Sequence, residues 1–152
     1  MFGVGTEKIN VVVQRESAIH SMVEFLDGSV KAHLGTTDMR IPIQYALSYP
    51  KRLQTPVERM DFQKLGTLHF DAPDTKTFKC LSLAFEAMKI GGTMPCVMNA
   101  ANEVAVAKFL NDEIKFLEIA EIVEKAMQNH KTQKVENLSQ LYEIDQITRQ
   151  NI

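Results

Sequence analysis

The sequence has almost no net charge, few cysteines and no long apolar run. Seventeen Lys and Arg face 19 Asp and Glu, a formal net charge of −2 over 152 residues. That balance leaves no basic footprint for nucleic acid. No apolar stretch approaches the ~20 residues of a membrane-spanning helix, so no membrane contact is expected. The N-terminus lacks a basic segment followed by an apolar core, so no signal peptide is expected either. Cys80 and Cys96 form no CxxC and join no Cys/His cluster. They are read as buried free thiols in a reducing cytoplasm, not as a disulfide. No Gly-rich dinucleotide fingerprint follows a strand-like run. The carboxylates Glu118, Glu121 and Glu124 lack an accompanying Glu-x-x-His, and their spacing reads as a solvated helix face. What remains is an ordinary globular composition, 45% hydrophobic and 24% charged.

The chain changes period partway along. Lys8 to Val13 ends in a β-branched run and reads as a strand. Ile19 to Phe25 and Ser29 to Leu34 flank Asp27-Gly28, a pair suited to a type I′ turn, and predict a hairpin. Asp38 is placed to cap a helix through Tyr49, with Pro42 in its first turn and Pro50 as its stop. Lys51 to Arg59 has the chemistry of a connection, and Thr67 to Phe70 reads as one more short strand. Beyond that, helical periodicity takes over. Leu81, Ala84, Phe85 and Met88 share one face. Gly91-Gly92 ends that helix, and Thr93 with Pro95 starts the next. Val97 to Leu110 is apolar on most sides and predicts the most buried helix, with Val104 and Phe109 inside. Ile119, Ile122, Val123 and Ala126 form a third stripe. Leu138, Leu141, Tyr142 and Ile144 mark a fourth helix, capped by Asn137 and Gln140. The expected fold is α+β, a small β-sheet with a hairpin followed by a C-terminal four-helix bundle.

Ser17 and His20 are the best polar candidates. An imidazole handles protons or contacts anions near neutral pH, and a serine hydroxyl donates to phosphate or to a substrate oxygen. From the residues alone, a lone histidine beside a strand is usually structural. A Ser-His nucleophilic pair is the weaker idea, since neither spacing nor an oxyanion-hole motif selects it. Asn99, Asn102 and Glu103 set polar groups on a nearly all-apolar helix. A substrate site is one reading; the favoured one is structural, with buried amides bonded to neighbouring backbone and Glu103 exposed or paired.

Several segments together resemble the 1-deoxy-D-xylulose 5-phosphate reductoisomerase family. They are Val11-Val12-Val13-Gln14-Arg15-Glu16-Ser17-Ala18-Ile19-His20-Ser21-Met22-Val23, Asp27-Gly28-Ser29-Val30 and Gly35-Thr36-Thr37-Asp38-Met39-Arg40-Ile41-Pro42-Ile43-Gln44. Ala72-Pro73-Asp74, Cys80-Leu81-Ser82-Leu83-Ala84 and above all Asn99-Ala100-Ala101-Asn102-Glu103-Val104-Ala105-Val106 continue the likeness in order. Gln14 stands where many family members carry histidine, and Thr37 where proline is frequent.

The resemblance implies an enzyme that forms 2-C-methyl-D-erythritol 4-phosphate for isoprenoid biosynthesis. It rearranges its substrate at a divalent metal, Mg or Mn, and reduces an aldehyde with NADPH. It implies that Ser17 and His20 line the substrate side, that Met39 packs near the nicotinamide, and that the Lys8–Leu34 strands build a homodimer interface. Residues 1–50 then correspond to the end of the catalytic and dimerisation domain, 51–77 to a connecting segment and 78–152 to a C-terminal helical domain. The nucleotide-binding and metal-binding segments of the family have no counterpart here. The chain is therefore expected to be a C-terminal fragment, inactive alone, with no catalytic residue and no metal ligand of its own. The rival reading is a non-enzymatic dimerisation or scaffold module.

Overall fold

Two antiparallel strands and six helices make up the computed structural model, which describes residues 3–152 and has an α+β fold. The chain divides into two units, Val11–Pro73 and Met1–Asn10 with Asp74–Ile152. Among the described residues no helix is long and apolar enough to cross a membrane.

In the first unit, β1 (Ile19–Glu24) and β2 (Val30–Leu34) pair as the expected hairpin. The turn differs from the expected type. Gly28 N–H donates to Phe25 O at 3.0 Å, and Phe25 N–H to Ser29 O at 2.8 Å. Gly28 has φ 81 while Asp27 keeps a negative φ. That is a type I turn closed by a left-handed glycine, not a type I′ turn. The Asp27 carboxylate selects it by accepting the Ser29 N–H at 2.9 Å and its hydroxyl at 2.6 Å.

The expected strands at Lys8–Val13 and Thr67–Phe70 do not form. Thr6–Lys8 is a 3-10 turn, and the apolar run keeps only an isolated bridge, Val13 with Asp71. Val11, Val12 and Val13 stay exposed, so β-branched propensity had no packing surface to reward it. His69 spends its backbone N–H on a side chain, the Glu16 carboxylate at 3.2 Å.

Helix α1 (Arg40–Ser48) starts where the Asp38 carboxylate accepts the Arg40 N–H at 2.9 Å. Bonds from the Arg40 guanidinium hold that carboxyl down at about 2. A short helix, α2 (Phe62–Leu65), interrupts the connecting region, with Asp61 capping the Gln63 and Lys64 N–H groups.

The second unit is helical: α3 (Cys80–Ile90), α4 (Met94–Leu110), α5 (Glu118–Asn129) and α6 (Leu138–Gln150). Helices α3, α5 and α6 all pack on α4. Ala100, Ala101 and Ala105 are fully buried, so α4 presents small residues where its neighbours approach. The core joins Leu83, Ala87, Met94, Ala101, Val123 and Met127. At about 25 cal/mol per Å² of apolar surface, such burial is the main force holding this unit together.

Several expected faces are rotated. On α3 the buried pair is Leu83 and Ala87, not the Leu81 stripe, and Met88 is exposed. Val104 and Phe109 are only half-buried, because the contact side of α4 is formed by Met94, Val97, Ala100, Ala101 and Ala105. On α6, Leu138 and Tyr142 are exposed and Thr148 is buried. Cys80 is exposed at the start of α3 and Cys96 half-buried; both are free thiols.

The breaks fall where expected. Gly91, at φ 70, ends α3. A β-carbon on Gly92 would collide with the Gln133 carbonyl oxygen, so only glycine admits that strand of loop. Asn137 Oδ1 accepts the Gln140 N–H at 2.9 Å, while Gln140 Oε1 reaches back to the Glu136 N–H at 2.9 Å.

Candidate functional site

The start of β1 carries the polar candidates. Ser17 sits at φ 50, a left-handed backbone that a residue with a β-carbon seldom adopts. Its N–H donates to Gln14 O at 3.2 Å, closing a tight turn. Thr37 Oγ1 donates to Ser17 O at 3.2 Å and ties that turn to the loop leading into α1. Ser17 is exposed.

His20 lies at an irregularity of the hairpin. Ile19 pairs with Leu34 and Ser21 with His33, so His20 is the extra residue on its strand. Such bulges break the alternation of a strand and re-aim a side chain. Its ring lies 5.9 Å from that of His33, tilted by 59°. His33 in turn lines an open groove of about 580 Å³ with Pro42, Tyr45, Tyr49 and Arg52. The Arg52 guanidinium lies 3.6 Å over the Tyr45 ring, a cation–π contact.

Met39 stands just before α1 and is 70% exposed, which leaves its thioether free to cover a flat ring. The structure thus brings Ser17 and the loop before Met39 together through Thr37. Nothing in the sequence singled out the groups that hold this arrangement. Glu16 accepts from the backbone N–H and ring Nδ1 of His69, the latter at 2.6 Å, and from the Gln14 amide. These bonds, chiefly the one to His69, hold the Glu16 carboxyl down at about 2. Arg15 pairs with Asp71 at 2.9 Å beside it. The partners are 53 and 56 positions apart in sequence, so no local pattern announces them.

The second polar candidate resolves differently from the expected buried amides. Asn99 is exposed and donates to Glu103 at 3.0 Å; Glu103 also pairs with Arg149 at 2.6 Å, which in turn binds Asp145. The result is a surface ion network between α4 and α6. Glu118 accepts the Lys115 N–H and Glu124 faces Lys79 at 3.6 Å. Among the described residues no three His, Cys, Asp or Glu side chains converge as metal donors.

The chain thus carries a hairpin with a bulged histidine, followed in sequence by a helical unit built on an alanine-lined helix. The family described as DXP reductoisomerase C-terminal domain matches residues 34–151, and this chain belongs to that family. The 1-deoxy-D-xylulose 5-phosphate reductoisomerase of Chloroherpeton thalassium is 49% identical over 152 residues, all of this chain and 39% of that protein. That of Bacillus subtilis is 53% identical over 98% of this chain and 39% of its own length. The solved enzyme from Zymomonas mobilis, in complex with NADPH, superimposes at a TM-score of 0.89 with 48% identity, covering 97% of this chain and 39% of that one. A reductoisomerase solved with NADPH, fosmidomycin and magnesium gives a TM-score of 0.92 at 36% identity, covering 99% of this chain and 39% of that one. The chain therefore spans about two-fifths of the length of these relatives, 39% in each case.

Proposed function

We propose that this chain is the C-terminal part of a 1-deoxy-D-xylulose 5-phosphate reductoisomerase of isoprenoid biosynthesis. The observation that carries the reading is 49% identity held along the whole chain to a protein of that activity. In this reading Ser17 and His20 face the substrate. The serine hydroxyl donates to a phosphate or hydroxyl oxygen, and the imidazole, turned by the bulge, contacts the polar substrate.

NADPH and a divalent cation belong to the complete enzyme, where they supply hydride and polarise the reacting oxygens. The fit differs between them. Met39 offers an exposed apolar side chain that suits the face of a nicotinamide. The donor set for a cation is not assembled by the described residues. In this reading the chain's own part is to position substrate and to cover the cofactor ring.

Residues 1–50 read as the end of a catalytic and dimerisation domain, 51–77 as a connection and 78–152 as a helical domain. The packing of α3, α5 and α6 on α4 supports treating that last part as a four-helix bundle. Homodimerisation through the hairpin is favoured by its exposed Met22, Val23, Phe25 and Val30 and by its unpaired strand edges.

The test is NADPH oxidation with deoxyxylulose phosphate and Mg²⁺. The 152-residue chain alone should give none. The same chain joined to the remaining N-terminal part of a relative should turn over. An inert joined protein that is folded and binds NADPH would overturn the reading.

A further inference from the structure

Ser17 and His20 are held by groups that no local motif reveals. Ser17 occupies a strained left-handed backbone at φ 50, and His20 an unpaired bulge position. The Ser17 geometry is not self-sustaining, since strain of this kind persists only where the surroundings over-determine it. The surroundings here are specific. Gln14 Oε1 accepts the N–H of Ala18 at 2.8 Å and of Ile19 at 3.3 Å, the two residues between Ser17 and His20. Its amide nitrogen donates to Glu16. Glu16 is fixed in turn by the N–H of His69 at 3.2 Å and by its Nδ1 at 2.6 Å. The Val13–Asp71 bridge, with both backbone bonds at 2.9 Å, and the Arg15–Asp71 ion pair lock residues 69–71 against this turn.

We propose that His69 and Glu16, acting through the Gln14 carboxamide, are positioning residues that hold Ser17 and His20 in their site geometry. The assignment rests on the reading of Ser17 and His20 as substrate-facing. The chain of bonds explains the orientation of Gln14: with its nitrogen committed to Glu16, only the oxygen is left to face the two N–H groups. A carboxylate partner strengthens that choice, because charge-assisted bonds are the strong ones. The Glu16 carboxyl, held down chiefly by the His69 bond, stays an anion at neutral pH. His69 thus sets, from outside the hairpin, how the strand begins.

The experiment is amide hydrogen exchange with NMR carbon shifts on the 152-residue chain and four variants: Glu16→Ala, Glu16→Gln, His69→Ala and His69→Gln. Both alanine variants should speed exchange at Ala18 and Ile19 by about tenfold, the effect of losing one strong hydrogen bond. The Ser17 carbon shifts should leave the left-handed range. Protection at Val23 and at Phe25, whose N–H donates to Ser29 O, should hold, and the glutamine variants should restore most of the wild-type pattern at Ala18. Unchanged exchange at Ala18 and Ile19 would overturn the proposal. So would a parallel loss at Val23 and Phe25, which marks general destabilisation, or glutamine variants no better than alanine. No substrate enters this measurement. A silent His20→Ala in an activity assay would remove the substrate reading while leaving these bonds intact, so the two failures are distinguishable.

Discussion

Thr93 Oγ1 lies 2.8 Å from Nε2 of His130, and the same hydroxyl oxygen accepts the Gln133 N–H at 3.0 Å. Thr93 N–H donates to Gln133 O at 3.0 Å, so one fully buried threonine fastens the segment after α5 to the start of α4. A neutral His130 can accept the hydroxyl proton at Nε2. A protonated ring presents a donor to an oxygen that already accepts one bond.

This pair predicts a pH dependence. Burial lowers the His130 pKa from its usual 6.5. A histidine with a depressed folded value contributes stability above its unfolded value and loses it as pH falls through the folded one. Thermal midpoints should therefore decline as pH drops below 6.5 and through the lowered pKa. In His130→Gln this part of the decline should vanish. Parallel pH curves for the two proteins would refute the role of the pair.

Helix packing gives a contrast between two leucines. Leu83 is 5% exposed in the core and Leu138 is 64% exposed on α6. Leu83→Ala should cost about 2–5 kcal/mol of unfolding free energy. Leu138→Ala should stay within about 0.5 kcal/mol. Urea unfolding of both variants decides this, and comparable losses would mean that α6 sits differently on α4.

The two thiols should differ in reactivity. Cys80 is exposed, whereas Cys96 is half-buried and its pKa is raised by burial and by the nearby Asp145 carboxylate. The thiolate is the nucleophile, so Cys96 should react later. Limited alkylation followed by peptide mapping should find Cys80 modified first; equal labelling of the folded chain would contradict the placement of α4 and α6.

Element type was legible wherever short-range chemistry decided it. The hairpin followed from Asp27-Gly28, the helix break from Gly91-Gly92, and the last helix start from Asn137. Facing was not. The apolar stripe read on α3 missed Leu83 and Ala87, because the partner helix offers alanines and admits a different side. Strands failed at Val11–Val13 for a similar reason: pairing depends on what lies alongside. Ser17 and His20 stood out as polar residues beside a strand. Their supports did not, since His69 reaches Glu16 across 53 positions. The surface network of Asn99, Glu103 and Arg149 spans two helices and was equally invisible.

Association through the hairpin can be tested at Val30, which pairs with Glu24 and is 57% exposed. Proline there removes a backbone donor and disfavours strand pairing. Sedimentation should show a dimer or larger species for the wild-type chain and a shift toward monomer for Val30→Pro, with the α4 core still folded by circular dichroism. A folded wild-type monomer at high concentration would exclude the hairpin as an interface.

The most direct test of the substrate reading is His20→Ala in a full-length reductoisomerase that contains this chain. Loss of a charge-assisted contact of about 1.5–3 kcal/mol corresponds to a fall of roughly ten- to a hundredfold in kcat/KM. That fall is expected with an unchanged thermal midpoint, because His20 is an exposed residue at a bulge. Normal kinetics with a clearly lowered midpoint would contradict the account and make His20 a structural residue of the hairpin.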